Sequence, residues 1–329
     1  MLKTFFYKSV LFTMPIILLL ILFVATDPFL ILYQYNDYTA TYRPVLNRDF
    51  ISGETYINKR GKYHYNSFMF GSSRLLAYPV KTWQKYLDKD AIPFKFDASS
   101  ETIFGIHSKI KYIDTQKDTI KNALLVVCQN TTFVAIKDSE GLIFMKHPKI
   151  AKTSSIKFYT EFMKALLNPK LFTYLGTSVF TNKYSYLFPD KYDVKYDTVH
   201  NDLVMQLWEK ELKDNPKKYY ESRKELFYQR NPLPNYNRPE INAQQIMMLK
   251  EIKQIFDKHQ TKYKIVISPL YNQVYFNKTD VKFLQAVFGA NHVYDYSGIN
   301  NYTNKEENYY EDSHYKPHIG EAIMSEIYR

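Results

Sequence analysis

At 329 residues with 45% hydrophobic side chains, the chain has the material for one fair-sized domain, and α/β folds often reach this length with insertions. Its net charge of +11 is spread through lysines with no nucleic-acid motif beside it, which excludes a nucleic-acid partner and reads as attraction to anionic lipid or glycan. One cysteine, Cys128, excludes an internal disulfide and, lying in an apolar run, reads as a small buried hydrophobe, while 31 tyrosines suit half-wet clefts and interfaces.

Between Lys8 and Asp27 stand 18 uncharged residues, Ser9 to Thr26, about the length a bilayer core requires. A cleavable signal needs small residues before the cut, and Phe23-Val24-Ala25 followed by Asp27-Pro28 does not supply them. Residues 1–33 are therefore expected to stay as a membrane anchor. Lys3 and Lys8 would remain cytoplasmic, so a single pass through the inner membrane would leave residues 34–329 periplasmic or extracellular. Residues 33–66 have no sustained period and read as a connecting stretch without chemistry.

From Phe68 the pattern becomes α/β: the strands Phe68-Met69-Phe70 and Phe94-Lys95-Phe96-Asp97, then Ala123 to Cys128, apolar on both faces as a central parallel strand is. Ile103, Ile106, Ile110 and Ile113 predict a helix between the second and third strands. Residues 140–240 lose this rhythm and read as a mostly helical insertion or cap over the serine-bearing end of the sheet, with a second small domain as the alternative and helical spacing at Phe158–Leu167 and Asp202–Leu212. Pro232, Pro234 and Pro239 mark its boundary. Ile246, Leu249, Ile252 and Ile255 then predict a helix, Lys264 to Ser268 a strand, Val293 to Tyr296 the last strand and Pro317 to Ile327 the last helix.

Two blocks carry the candidate chemistry. Met69-Phe70-Gly71-Ser72-Ser73-Arg74 is a strand that breaks at a glycine, which permits a sharp or positive-φ turn and lifts a hydroxyl above the sheet end; a plain loop is the alternative. Glu311-Asp312-Ser313-His314 sets acids just ahead of a histidine. A serine needs such a base to be nucleophilic near neutral pH, and a carboxylate to fix the imidazole tautomer. His314 and His318 are four apart, but Pro317 between them argues against a metal pair on one helix face.

Together these blocks resemble the SGNH/GDSL hydrolase superfamily, in which the serine opens the domain and Asp and His close it. The likeness is to its membrane-anchored cell-envelope branch, which includes the proteins that acetylate alginate and the one that helps D-alanylate teichoic acids. It covers roughly residues 65–329. The resemblance implies a three-layer α/β/α sandwich with a parallel sheet, SGNH/flavodoxin-like, over residues 34–329. It implies Ser73 as nucleophile, the third residue of Gly71-Ser72-Ser73, with Ser72 in the place of the family aspartate, and His314 as general base. Asp312 is the preferred orienting acid because the family acid is normally aspartate, and Glu311, with acid-x-x-His spacing, is the alternative. Oxyanion donors would be the Ser73 amide, Ser100 where the family has glycine, and Asn130 after the third strand. Arg74 would hold an anionic substrate group or form an ordinary salt bridge.

The implied function is serine-dependent O-acyl transfer or ester hydrolysis on a cell-envelope polysaccharide, with no cofactor and with a membrane-bound O-acyltransferase as a possible partner. The rival is a non-catalytic protein on the same fold that binds glycan or scaffolds that acyltransferase. The flanking lysines make the topology testable: protease added outside intact spheroplasts should digest the chain beyond Tyr33, and protection while the membrane is sealed would reverse the orientation.

Overall fold

The computed structural model describes residues 2–38, 47–181 and 194–329. In chain order its main helices are α1 (Leu2–Thr26), α2 (Arg48–Tyr63), α3 (Ile103–Thr115), α4 (Ser155–Ala165), α5 (Pro169–Thr181), α6 (Gln206–Asp214), α7 (Ala243–Lys258), α8 (Lys278–Phe288) and α9 (Pro317–Ile327). The strands of the main sheet are β1 (Ser67–Gly71), β2 (Pro93–Asp97), β3 (Asn122–Val127), β4 (Lys262–Ile267) and β5 (Val293–Asp295). The chain divides into two units, Met1–Leu46 with Ser154–Lys191, and Asn47–Thr153 with Tyr192–Arg329. The stretch read as one insertion, 140–240, is thus shared between them.

In the first unit, α1 is long and apolar enough to cross a membrane, with mean hydropathy 2.6 over its best window. Its last turn enters a folded knot. The buried Asp27 carboxylate accepts hydrogen bonds from the Ile31, Leu32 and Tyr33 amides at 2.9, 3.0 and 3.1 Å and from the Tyr35 hydroxyl at 2.9 Å. Phe29 packs edge-on against Phe162 of α4 with ring centroids 5.2 Å apart.

In the second unit a five-stranded sheet runs in the order β2-β1-β3-β4-β5, all neighbours parallel. Side chains alternate along each strand. Phe68, Phe70, Phe94, Phe96, Leu125 and Ile265 enter one buried cluster with α2, α3, α7 and α8. Met69, Leu124, Val126 and Val266 enter a second with α9 and the segment that follows β1. The chain goes from β1 outward to β2, then crosses back to β3 on the other side. Connections leave the carboxyl ends of β1 and β3 in opposite directions, which makes that edge a topological switch point.

The four isoleucines of α3 are all buried, as their spacing predicts. In α7 the buried stripe is Gln245, Met248, Leu249, Ile252 and Phe256, rotated from the expected one, which leaves Ile246 and Ile255 half-buried. Two expectations are overturned. Residues 33–66 contain α2, capped by the Asn47 side chain accepting from the Phe50 amide at 2.8 Å. Its buried face includes Asp49, Ser52, Gly53 and Thr55, so no apolar period marks it. Asp202–Leu212 is not one helix: Asp202–Met205 is a strand paired with Val194–Asp197, and α6 begins at Gln206.

A buried charge network joins α2, α3 and the segment after β3. Lys109 Nζ pairs with Glu101 and, at 3.0 Å, with Asp49, while Lys146 Nζ lies 2.6 Å from Glu101 and 3.6 Å from Asp49. Burial pushes the Asp49 carboxyl up, but the charges of Lys109 and Lys146 outweigh it and hold it at about 2. Such a network is stable only while every member is matched. Glu101→Ala, which leaves two buried lysines sharing the one carboxylate of Asp49, should therefore cost about 3–5 kcal/mol of unfolding free energy in a denaturant titration, far more than an exposed Glu→Ala.

Candidate active site

β1 ends at Gly71, which the structure keeps in extended conformation. The expected positive φ is absent; glycine is required because a Cβ there would lie 2.7 Å from the Val126 carbonyl oxygen of the neighbouring strand. Ser72 caps the following 3₁₀ turn, Ser73–Ala77, its carbonyl accepting from the Leu75 amide at 2.9 Å. Ser73 is the first residue of that turn and sits half-buried at the carboxyl end of the sheet. Two contacts fix the turn from behind. The buried Lys95 of β2 donates to the Leu75 carbonyl at 2.9 Å and pairs with Asp202 at 2.5 Å. Gly320 of α9 lies so close that a Cβ on it would overlap the Ala77 carbonyl.

His314 arrives from the other end of the chain. Tyr309–Glu311 and His314–Tyr315 form a short antiparallel hairpin closed by Asp312 and Ser313, with Glu311 and His314 as direct cross-strand partners. The hairpin is anchored by buried tyrosines. The Tyr309 hydroxyl donates to the Pro269 carbonyl at 3.0 Å, and the Tyr315 hydroxyl lies 3.3 Å from those of Ser268 and Tyr78. This sets His314 Nε2 2.7 Å from Ser73 Oγ. The ring's Nδ1 contacts Glu311 Oε1, and the other Glu311 oxygen accepts from the Ser313 amide at 2.9 Å. A hydroxyl, an imidazole and a carboxylate stand in series, the order needed to activate a serine.

The carboxylate that reaches the imidazole is therefore Glu311, where the preference was for Asp312. Pairing across the turn decides it, because the hairpin sets residue 311 opposite 314 and leaves Asp312 in the turn, bonded to the Ser313 hydroxyl at 3.1 Å. Electrostatics separates the two carboxyls further. Burial pushes Glu311 up, but its hydrogen bond to His314 and the imidazole's charge hold it at about 2. Asp312 is pushed up by burial and by the hydrogen bond and charge of Glu311. The pair is thereby split into one carboxylate held ionised and one drawn toward its neutral form.

The expected oxyanion donors fare differently. The Ser73 amide opens the 3₁₀ turn, next to its own hydroxyl. Ser100 adopts φ 45°, the left-handed region that glycine favours, but no contact links it to Ser73 or His314 among the described residues. Asn130 does not join the site. The loop closes on itself through the Thr132 hydroxyl, which accepts from the Cys128 amide at 3.0 Å, and Asn130 is left exposed with its own amide donating to Glu240 at 2.8 Å. Arg74 makes no salt bridge among the described residues. Its Nη1 reaches Cys128 Sγ at 3.2 Å and Ser72 Oγ at 3.4 Å, and its Nε is buried without an acceptor. His318 turns to Asn308 Oδ1 at 3.1 Å.

Sequence reasoning missed Trp208. It lies on α6, half-buried, with its ring centroid 5.9 Å from His314 and 5.2 Å from Tyr310, and next to Glu209, which accepts from the Tyr310 hydroxyl. The Tyr219 hydroxyl donates to the Tyr310 carbonyl at 3.0 Å. This part of the 140–240 stretch therefore braces the hairpin that carries His314. Among known proteins, no family model and no curated protein matches the chain.

The split between the acids gives a direct comparison. Glu311→Gln should slow any Ser73-dependent reaction by about 10²-fold or more, while Asp312→Asn should cost less than about tenfold. Because its pKa is depressed, Glu311 lends its full stabilisation above the ordinary carboxylate range and loses it only as pH falls through about 2. Titration of this acid should therefore leave no mark on the rate at pH 5–8, a point checked by comparing the pH profiles of the wild type and of Glu311→Gln over that range.

Proposed function

We propose that the protein is an SGNH-like serine acyltransferase or esterase. It would be anchored by α1, with an α/β/α catalytic unit on the extracytoplasmic side, and would act on a cell-envelope polysaccharide. The observation that carries this reading is the Ser73–His314–Glu311 series, closed by a 2.7 Å hydrogen bond between residues from opposite ends of the second unit. In the proposed reaction Ser73 Oγ attacks an acyl carbonyl while Nε2 of His314 takes the hydroxyl proton. Glu311 holds the Nδ1–H and stabilises the imidazolium. The Ser73 amide donates to the oxygen on which negative charge develops. His314 then returns the proton to the departing alkoxide, and the acyl-serine is transferred to a sugar hydroxyl or to water.

The half-buried ring of Trp208 beside the histidine, backed by the buried Tyr310, is suited to the apolar face of a pyranose ring, which supports a glycan acceptor. Arg74, a cation next to the nucleophile with no carboxylate partner among the described residues, supports an anionic group on one substrate. A fluorophosphonate probe tests the reading. The wild-type chain should be labelled, Ser73→Ala should not, and His314→Ala should react roughly 10²–10⁴-fold more slowly while melting near the wild-type temperature. An unlabelled but folded wild-type chain would sink the catalytic reading in favour of a glycan-binding or scaffolding role.

A further inference from the structure

In the first unit, α5 carries an unusual surface. From Leu171 to Thr181 it has no charged residue, yet Phe180 is 74% exposed and Phe172 43%, and Leu167 just before it is 70% exposed. Scattered exposed apolar residues are ordinary, but here they are contiguous with α1, whose apolar residues are exposed along the helix. An apolar crevice of about 80 Å³ is shared by Leu22 and Phe23 of α1 and by Phe172, Leu175, Gly176 and Phe180 of α5.

Depth follows from helix geometry. The uncharged stretch Ser9–Thr26 spans about 27 Å, close to the roughly 30 Å of a hydrocarbon core. The crevice runs from Leu22, about 6 Å inside the end of that stretch, to Thr26 and Pro28 at its edge, so the α5 side chains that line it lie in the outer hydrocarbon of that leaflet. Three hydroxyls of α5 meet the condition such a place imposes. The Thr173, Thr177 and Thr181 hydroxyls donate to carbonyls one turn earlier, at 2.8, 2.8 and 2.6 Å, so each is satisfied within the helix. With 13 residues, α5 is too short to cross a bilayer.

We infer that α5 is a second membrane contact, lying in the leaflet that receives the C-terminal end of α1, with lipid acyl chains covering Phe172 and Phe180. This rests on α1 being in the bilayer and is independent of the proposed catalysis. Lys164 and Lys170, near the ends of the α4–α5 connection, would reach the headgroups.

The test uses the full chain in phosphatidylcholine/phosphatidylglycerol vesicles on a Cys128→Ala background, with a fluorophore placed by Phe180→Cys, by Ile17→Cys as the lipid reference and by Met247→Cys as the aqueous reference. Doxyl-labelled phospholipid should quench the label at residue 180 about as strongly as at residue 17, and iodide should quench it about fivefold less than at residue 247. Iodide quenching at 180 equal to that at 247 would overturn the inference. So would shielding from both quenchers, which would put protein rather than lipid on α5. Absence of lipid quenching at 17 would remove its foundation.

Discussion

The structure of the candidate site depends on one cross-strand pairing. Glu311 faces His314 because two turn residues separate them, and that register points the opposite ring nitrogen at Ser73. Shift the pairing by one residue and alternation would turn the acid to the other face of the hairpin. The pairing holds because Tyr309 and Tyr315 are pinned by hydroxyl hydrogen bonds to the ends of the sheet.

Two backbone approaches deliver the other partner. Gly71 lets β1 run against β3 up to the turn, and Gly320 lets α9 settle directly on the Ala77 carbonyl. Lys95 then ties the turn to Asp202, so the first strands, the strand pair after residue 193 and the last helix converge on five residues, Ser73–Ala77. Parallel strands place all their carboxyl ends on one edge, which is why residues separated by 241 positions meet there.

The electrostatic design is local. Glu311 and Asp312 are adjacent in sequence yet are driven in opposite directions, one held ionised by the imidazole and the other pushed toward neutrality by its neighbour. Elsewhere in this unit charge serves packing: the Asp49, Glu101, Lys109 and Lys146 network substitutes matched charges for an apolar contact between α2 and α3. That substitution is also why α2 left no periodic trace in the sequence.

The sequence by itself determined what depends on local pattern. The membrane-length helix, the β-strands of the sheet, the four-isoleucine face of α3 and the proline-started last helix each follow from spacing or composition. Ser73 and His314 were legible because a glycine-serine break and an acid-histidine cluster are short-range signals. What only the tertiary structure decided depends on pairings between distant segments. Glu311 displaces Asp312 through a hairpin register, and Asn130 is turned outward by a loop that closes on itself. Trp208 and Lys95 reach the site through contacts that no single window contains. A side chain's partner across a turn or a sheet edge is fixed by where the backbone packs, and one-dimensional periodicity reports which face is apolar, not what lies opposite it.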